Sequence, residues 1–433
     1  MGSVIFGAKY YSKGEIKTGK IFVSDGTIAR IYPPNLLIDL AAGTEIIYYS
    51  DDAILFPGLV DLHVHLREPG FSYKETIKTG TKAAARGGVT TLVTMPNLNP
   101  APDSLENLQQ QIDLIERDAV VNVLPTASIT VGQKGAGELV DFAALADKVI
   151  GFSDDGRGVQ SEELMREAMR QAAKVNRAII AHCEVDDLLH GGYIHDGEYA
   201  KANNHRGICS DSEWAQVKRD IEIIESLKRE ENIDVQYHVC HISTKESVAL
   251  IRAAKAKGLR VSCETAPHYL LLTDCDLQEN GRFKMNPPIR SAEDRAALIE
   301  GLKDGTIDVI ATDHAPHSAE EKSRGLENSA FGVVGIETSF ATLYTHLVLK
   351  NVITLERLVD AMSTRPRELF GLPKVEIEEG MPADLVAFDL NEKFKIDPAE
   401  FMSLGKATPL EGLMVQGRTK MTMVAGKVVY NEK

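Results

Sequence analysis

The chain has 433 residues, of which 43% are hydrophobic and 26% charged, a balance typical of a globular protein with one large domain and a smaller one. Its net charge of −15 disfavours nucleic acid and anionic membrane surfaces as partners, and the lack of a signal-peptide or membrane-spanning pattern predicts a cytoplasmic protein. The five cysteines lack CxxC spacing, which argues against a disulfide framework and a thiolate zinc site.

Short strands are predicted at both ends of the chain. Near the N-terminus, residues 17–34 (KTGKIFVSDGTIARIYPP) and 45–52 (EIIYYSDD) are typical of antiparallel strands, with an Asp-Gly turn in the first stretch. Near the C-terminus, residues 383–390 (ADLVAFDL) and 420–430 (KMTMVAGKVVY) have the same character. Because neither end is large enough for a core of its own, we predict that the two ends pair into one small β-domain.

Eight short apolar runs lie between these ends and alternate with helix-like segments. The runs are 53–65, 88–97, 120–128, 148–156, 178–184, 235–243, 259–268 and 307–317. The clearest helical segments are 74–88, 161–175, 244–258 and 291–305, and the last three begin at a Ser or Thr that can cap a helix. This α/β alternation predicts a (β/α)8 TIM-like barrel over residues 54–365, which leaves 1–53 and 366–433 to the β-domain. An open doubly wound sheet is the alternative that the alternation leaves open.

Histidines and aspartates concentrate at the carboxyl ends of the apolar runs. They are His63, His65, His182, His238, His241, His268, His314, His317, Asp154, Asp155 and Asp313. In a (β/α)8 barrel the carboxyl ends of the strands surround the active site, whereas polar residues needed only for stability have no reason to prefer that end. The distribution therefore predicts an active site.

Imidazoles and carboxylates without thiolates favour Zn²⁺ or a similar divalent ion. His63 and His65 share one face of a strand, where a second buried imidazole also needs a partner. His182 and His241 are candidates from other strands. A carboxylate between such groups would bridge a metal pair able to activate water and polarise a carbonyl group. Asp313 is a candidate for both a ligand and the base that deprotonates the water.

Arg67 follows His65 by two positions, which places a guanidinium at the mouth of the same pocket. A guanidinium there suits bidentate capture of a substrate carboxylate, and Asn97 and Asn286 are candidates for binding amides. The other histidines are interpreted as structural. They are His238 and His314, which each neighbour a better candidate on a strand, and His190, His195, His205 and His346 in loops or helices.

Seven motifs occur in order between about Pro57 and Thr338. They are PGLVDLHVHLREPG, TMPN, AHCE, HVCHISTKES, KMNPPIR, ATDHAPH and FGVVGIET. Together they resemble the class I bacterial dihydroorotases of the amidohydrolase superfamily. The resemblance implies a metal-dependent hydrolase with one or two Zn²⁺ ions per subunit. It implies the reversible cyclisation of N-carbamoyl-L-aspartate, a small anionic substrate, to L-dihydroorotate in pyrimidine synthesis. The assemblies that it leaves open are a homodimer and an association with aspartate carbamoyltransferase.

The resemblance also implies a role for each matching residue. His63 and His65 would bind one zinc ion and His182 and His241 a second, with Asp155 as the bridge and Asp313 as a ligand and the general base. The residues implied to bind substrate are His65, Arg67, Asn97, Asn286, His317 and the backbone of Phe331 and Gly332.

One departure from the superfamily lies on the fourth predicted strand. Many members bridge their metals with a carboxylated lysine there, but this strand reads VIGFSDDGRG and the nearby Lys148 precedes it. The pattern resembles the dihydroorotases that use an aspartate instead, and it argues against hydantoinase, dihydropyrimidinase and allantoinase. Asp155 matches the motif, and Asp154 is the alternative. Another cyclic amidase and a non-catalytic partner of aspartate carbamoyltransferase are the competing functions.

Overall fold

The structure is a computed structural model that describes residues 3–39, 44–47 and 52–432. Within these ranges the strands at the two chain ends are β1 Ser3–Ser12, β2 Glu15–Ser24, β3 Thr27–Tyr32, β4 Glu45–Ile47, β5 Ala53–Pro57, β16 Leu385–Lys395, β17 Met414–Val424 and β18 Lys427–Asn431. Between them lie β6 Leu59–Val64, β7 Val89–Thr94, β8 Asn122–Pro125, β9 Gly151–Phe152, β10 Ala178–Ala181, β11 Ile194–His195, β12 Gly207–Ile208, β13 Tyr237–Val239, β14 Val261–Thr265 and β15 Val309–Ile310.

The α-helices of the described ranges alternate with the central strands. They are α1 Ile77–Arg86, α2 Leu105–Asp118, α3 Phe142–Leu145, α4 Glu162–Lys174, α5 Glu198–Asn203, α6 Asp211–Ser226, α7 Lys245–Ala256, α8 Pro267–Leu271, α9 Ala292–Lys303, α10 Ala319–Lys322, α11 Gly325–Asn328, α12 Ser339–Leu343, α13 Leu355–Val359 and α14 Arg365–Phe370. Turns of π-helix at Leu227–Glu231, Tyr344–Val348 and Asp360–Thr364 extend α6, α12 and α13. The 3₁₀ turns are Ala146–Lys148, Asp186–Leu188, Asp274–Asp276, Gly281–Phe283 and Pro398–Glu400.

Eight parallel strands close into a barrel. Strands β6, β7 and β8 form one row, and β9, β10, β13, β14 and β15 form a second row. Parallel bridges join the two rows at both margins, between Ala127 and Phe152 and between Val64 and His314. This closure confirms the predicted (β/α)8 barrel and excludes the open doubly wound sheet.

Side-chain caps begin the four helices that were clearest in the sequence. The side chains of Thr76, Ser161, Thr244 and Ser291 each accept a hydrogen bond from the backbone N–H three residues later. Such a cap pairs one of the N–H groups that a helix start leaves without an intrahelical partner. The last three of these caps were predicted. None of the helices in the described ranges combines the length and the apolar character needed to cross a membrane.

The two chain ends form one sheet, as predicted. Its strand order is β18-β17-β16-β5-β1-β2-β3, with β4 beside β1, and residues of both ends, such as Ile21, Leu55, Leu385 and Met421, share a small core. The prediction that residues 45–52 are antiparallel is wrong for Glu45–Ile47, which pairs parallel with β1. Residues 48–51 lie outside the described residues.

The apolar run 53–65 is divided at Gly58 into two strands. Residues Ala53–Pro57 pair with β1 and β16 in the terminal sheet, and Leu59–Val64 enters the barrel. A Cβ atom on Gly58 would lie 2.2 Å from Thr90 Oγ1, so a larger residue does not fit where the chain passes from sheet to barrel. The domain limits 1–53, 54–365 and 366–433 stay a prediction.

Candidate active site

Four imidazoles surround the carboxylate of Asp155 at the carboxyl end of the barrel. Asp155 Oδ1 lies 3.4 Å from His63 Nε2, 3.7 Å from His182 Nδ1 and 3.6 Å from His241 Nε2. Asp155 Oδ2 lies 3.6 Å from His65 Nε2. All five side chains are buried. The carboxylate is thus placed between the two histidine pairs that come from different strands.

Asp313 faces the first histidine pair from the end of the eighth barrel strand. Its Oδ1 lies 3.1 Å from His65 Nε2 and 3.6 Å from His63 Nε2. Burial raises the pKa of Asp313, but the hydrogen bond to His65 and the neighbouring His63 outweigh burial and hold this pKa at about 2. Burial also opposes ionisation of Asp155, yet the close imidazoles of His63 and His241 bring its pKa well below the usual range. Both groups are therefore carboxylates at neutral pH.

The donor set fits a divalent cation. Among the described residues, the buried atoms His63 Nε2 and Asp155 Oδ1 have no hydrogen-bond partner, although they face each other. Buried polar atoms without partners are costly, and a cation between a neutral imidazole and a carboxylate would satisfy both. Within the described ranges, three groups of side chains have ligand atoms close enough to hold one ion. Two of these groups are His63 with Asp155 and His241, and His63 with His65 and Asp313.

Left-handed backbone occurs at three non-glycine residues of this site. The φ angles are 62° at Arg67, 30° at His241 and 47° at Asp313. Residues other than glycine rarely adopt such angles, and they persist where the surrounding structure imposes them. Each of these residues lies just past the end of a barrel strand, so the bend sets the direction of its side chain. No glycine or asparagine marked these positions in the sequence.

Two buried carboxylates, Glu264 and Asp61, hold His63 on strand β6 from behind. Sequence reasoning missed them. Glu264 Oε1 lies 2.8 Å from His63 Nδ1, and Glu264 Oε2 lies 3.1 Å from His238 Nε2. Such a partner fixes the ring so that its other nitrogen, here His63 Nε2, points to the metal site. Asp61 accepts hydrogen bonds from the backbone N–H groups of His63 and Thr312. The signal that could have found them is an acidic residue inside a buried apolar run, Asp61 in 53–65 and Glu264 in 259–268.

Asp154 points away from the histidines. Its carboxylate accepts hydrogen bonds from the backbone N–H groups of Ile129, Thr130 and Gly135 at 2.8, 3.2 and 3.1 Å, and from the Thr130 hydroxyl. Asp154 therefore holds the loop after the third barrel strand, and the structure places Asp155, not Asp154, among the imidazoles. Lys148 is exposed in the turn before the fourth strand.

A cavity of about 210 Å³ opens beside the histidine cluster. Its lining is His65, Arg67, Asn97, Asp155, Gly156, His182, His241, Asn286, Asp313, Ala315, His317, Phe331 and Gly332. Every predicted site residue except His63 lines this cavity, and His63 is buried beneath it. The sequence reasoning had not singled out Gly156 and Ala315.

Polar groups on the cavity wall are held by the backbone and by neighbouring side chains. Arg67 is buried, and its Nε donates to Pro316 O at 3.2 Å. Asn97 Nδ2 donates to Asp155 O at 2.7 Å, and Asn286 Nδ2 donates to Glu184 Oε1 at 2.9 Å. The Oδ1 atoms of both asparagines have no hydrogen-bond partner among the described residues, so they can accept from a ligand.

The histidines interpreted as structural lie outside the cavity lining. His238 contacts Ser262 and Glu264, and His314 Nδ1 accepts from the backbone N–H of Gly335 at 3.3 Å. The other contacts are His195 with Arg290, His205 with Tyr193, and His346 with Lys350, and His190 is exposed. Each of the contacted rings has a partner that accounts for its place.

Family models and known proteins match most of this chain. A family model described as "Dihydro-orotase-like" matches residues 52–247, and one described as "Amidohydrolase family" matches residues 228–430. Dihydroorotases of Geobacillus kaustophilus (strain HTA426) and Bacillus caldolyticus are each 50% identical over 428 residues, covering 98% of this chain and 98% of each relative.

The fold is also found in solved structures. The L-hydantoinase (dihydropyrimidinase) of Arthrobacter aurescens matches with a TM-score of 0.84 and 26% identity, covering 99% of this chain and 96% of that chain. Fold likeness is thus shared with other cyclic amidases, whereas half-identical sequence over nearly the full length is shared with the dihydroorotases. The chain belongs to the dihydroorotase family of the amidohydrolase superfamily.

Proposed function

We propose that this protein catalyses the reversible cyclisation of N-carbamoyl-L-aspartate to L-dihydroorotate, the third step of pyrimidine synthesis. The observation that carries the proposal is the buried guanidinium of Arg67 in the same cavity as the carboxylate-bridged histidine cluster. A metal site can open or close a cyclic amide, and a guanidinium beside it selects a ring that bears a carboxylate. Hydantoin and dihydrouracil lack that carboxylate.

We assign the metal ligands from the distances within the cluster. His63, His65 and Asp313 would hold one ion and His182 and His241 the other, with Asp155 between them. Imidazole and carboxylate donors suit Zn²⁺, as one or two ions. When bound, such ions would polarise the amide carbonyl and lower the pKa of water.

Asp313 is proposed to move the proton. In hydrolysis its carboxylate takes a proton from the attacking water and delivers it to the ring nitrogen as the C–N bond breaks. In cyclisation the same proton travels in the reverse direction, and water leaves. The carboxylate lines the cavity and is ionised, so it is available as the base.

The remaining cavity residues are proposed to orient the substrate. Arg67, Asn97 and His317 would bind its free carboxylate, and Asn286 with the backbone of Phe331 and Gly332 would contact the ring. Held on one side by its carboxylate, the substrate can present its amide to the cluster on the other side. Fixing this orientation in advance lowers the entropic cost of reaching the transition state.

Replacing Arg67 with lysine should reduce kcat/KM by about a hundredfold, or roughly 3 kcal/mol. Lysine keeps the charge but lacks the planar fork that binds both carboxylate oxygens, and it cannot also donate to Pro316 O as Arg67 Nε does. Steady-state kinetics in both directions measures the effect. A lysine variant within about twofold of the parent would exclude a bidentate carboxylate contact at Arg67.

Substrate comparison tests the proposed reaction directly. The metal-loaded protein should hydrolyse L-dihydroorotate at alkaline pH and cyclise carbamoyl-aspartate at lower pH, because cyclisation consumes a proton. Dihydrouracil and hydantoin should be poor substrates, since neither offers a carboxylate to Arg67. Comparable turnover of these uncharged rings would instead support the other cyclic amidases, and absence of turnover by the metal-loaded protein would support a non-catalytic role.

The assembly and location of the enzyme stay predictions. They are a homodimer, an association with aspartate carbamoyltransferase, and a cytoplasmic location. The non-catalytic alternative is disfavoured, because a chain that had lost its activity would be expected to lose ligands, whereas all six candidates converge here.

A further inference from the structure

A second cation, Lys74, lies behind Arg67 and His317, two of the residues proposed to bind the substrate carboxylate. Lys74 Nζ is 3.3 Å from His317 Nδ1, and on the other side of that ring His317 Nε2 is 3.3 Å from Arg67 Nη2. Lys74 is not part of the cavity lining, and its side chain is only 14% exposed. It therefore reaches His317 from outside the cavity, while Arg67 and His317 face the cavity itself.

The contacts of His317 restrict where its proton can be. A lysine ammonium and an arginine guanidinium can only donate hydrogen bonds, and a neutral imidazole has one donor and one acceptor nitrogen. Burial and the charges of Arg67 and Lys74 lower the pKa of His317 to about 3, so its ring is neutral. Arg67 and Lys74 both only donate, so just one of these two 3.3 Å contacts can be a hydrogen bond to a neutral ring. With Lys74 donating to Nδ1, the proton lies on Nε2. Arg67 Nη2 and His317 Nε2 are then two adjacent donors without an acceptor between them.

We propose that Lys74 is a positioning residue that keeps His317 in its Nε2–H tautomer, so that His317 and Arg67 donate together to the substrate carboxylate. Two donors 3.3 Å apart cannot bond each other, and one carboxylate would accept from both. This inference rests on the proposed function, because it takes the bound carboxylate from it.

Glu321 gives the opposite tautomer a competing partner. Its Oε1 pairs with Lys74 Nζ at 2.9 Å, and its Oε2 lies 3.5 Å from His317 Nδ1. Oε2 also accepts from the backbone N–H and the hydroxyl of Ser318, at 3.0 and 3.1 Å. Without Lys74, His317 Nδ1–H could donate to Glu321, and His317 Nε2 would accept from Arg67. In that arrangement Arg67 donates to His317, so neither residue offers its donor to the substrate carboxylate.

Histidine ¹⁵N spectra of the zinc-loaded parent test the tautomer without any activity measurement. His317→Gln identifies the signals of this ring. We expect a protonated Nε2 and an unprotonated Nδ1 in the parent, and the reverse in Lys74→Met. A parent protein with the proton on Nδ1 overturns the proposal, and this result does not depend on whether the Lys74 variant folds.

Kinetics provides the second readout. Lys74→Met should raise KM for carbamoyl-aspartate about tenfold or more with kcat within about threefold, because carboxylate binding is weakened while the proton-transfer groups remain. Lys74→Arg, which also only donates, should restore most of the KM. Lys78→Met, an exposed lysine in the first turn of α1, is the matched control and should behave as the parent.

A parental KM in Lys74→Met, or an arginine variant as impaired as the methionine variant, would overturn the role of Lys74. If the parent itself did not turn over dihydroorotate, the proposed function would fail, while the tautomer measurement would still report on Lys74 and His317. The two failures are therefore distinguishable.

Discussion

The Asp313→Asn variant should lose about a thousandfold or more of the parental kcat in both directions while remaining folded. Asparagine has nearly the same shape, but its amide cannot take a proton from water. It also removes a negative charge 3.1 Å from His65 Nε2 and 3.6 Å from His63 Nε2, which weakens the proposed metal site. The variant therefore loses the base and a metal ligand together. The value of kcat reports on the base, and the metal content per chain reports on the ligand.

Asp308→Asn is the matched control for this variant. Asp308 is a buried aspartate at the opposite end of the same barrel strand, where it pairs with Lys255 at 2.5 Å and Arg365 at 3.0 Å. Polar residues at that end of a (β/α)8 barrel contribute to stability, whereas those at the carboxyl end contribute to catalysis. We expect Asp308→Asn to lower Tm and to keep kcat near the parental value. Substantial turnover by Asp313→Asn would require a different base.

Replacing Asp155 with alanine should remove most of the bound metal, and replacing Asp154 should not. Asp155 is the carboxylate placed among four imidazoles. Without it, an ion at His182 and His241 would be held by neutral rings alone and would lack the negative charge that offsets its own. Asp154 instead satisfies the donors of the loop at Ile129, Thr130 and Gly135. Asp154→Ala should therefore lower the free energy of unfolding by about 3 kcal/mol, since it leaves buried donors unpaired.

Reconstitution of the apo-protein tests the bridging residue in a second way. A carboxylated lysine forms from lysine and CO₂, whereas an aspartate bridge is encoded in the chain. Zn²⁺ alone should restore activity to chelator-treated protein equally well in CO₂-free and in bicarbonate-containing buffer. Recovery that depends on bicarbonate, or a larger metal loss in Asp154→Ala than in Asp155→Ala, would contradict the proposed site.

The barrel was predictable because its signals are local. Every barrel strand except β8 is a short buried run. The clearest helices begin at a Ser or Thr whose cap is visible in the sequence. The division of 53–65 at Gly58 was missed, although Pro57-Gly58 is a dipeptide that commonly marks a turn or loop. The close approach of Thr90 to Gly58 is a tertiary contact, which the sequence pattern does not reveal.

The candidate site was predictable to the extent that its residues stand at strand ends. The convergence of His63, His65, His182 and His241 follows from the topology once the barrel is assumed. Glu264 and Lys74 were missed because their roles depend on the atoms they face, at His63 Nδ1 and His317 Nδ1. Neither residue belongs to a spacing pattern that would distinguish it from an ordinary buried acid or surface lysine.

The pairing of β5 has a consequence for synthesis on the ribosome. One edge of Ala53–Pro57 pairs with β1, which is made shortly before it, but the other edge pairs with Leu385–Lys395, which is made more than 300 residues later. Until then the nascent chain carries an apolar strand with one open edge, directly joined to the strand that bears His63. Open strand edges invite pairing with other chains. The emerging polypeptide should therefore depend on chaperones until Leu385–Lys395 has left the exit tunnel.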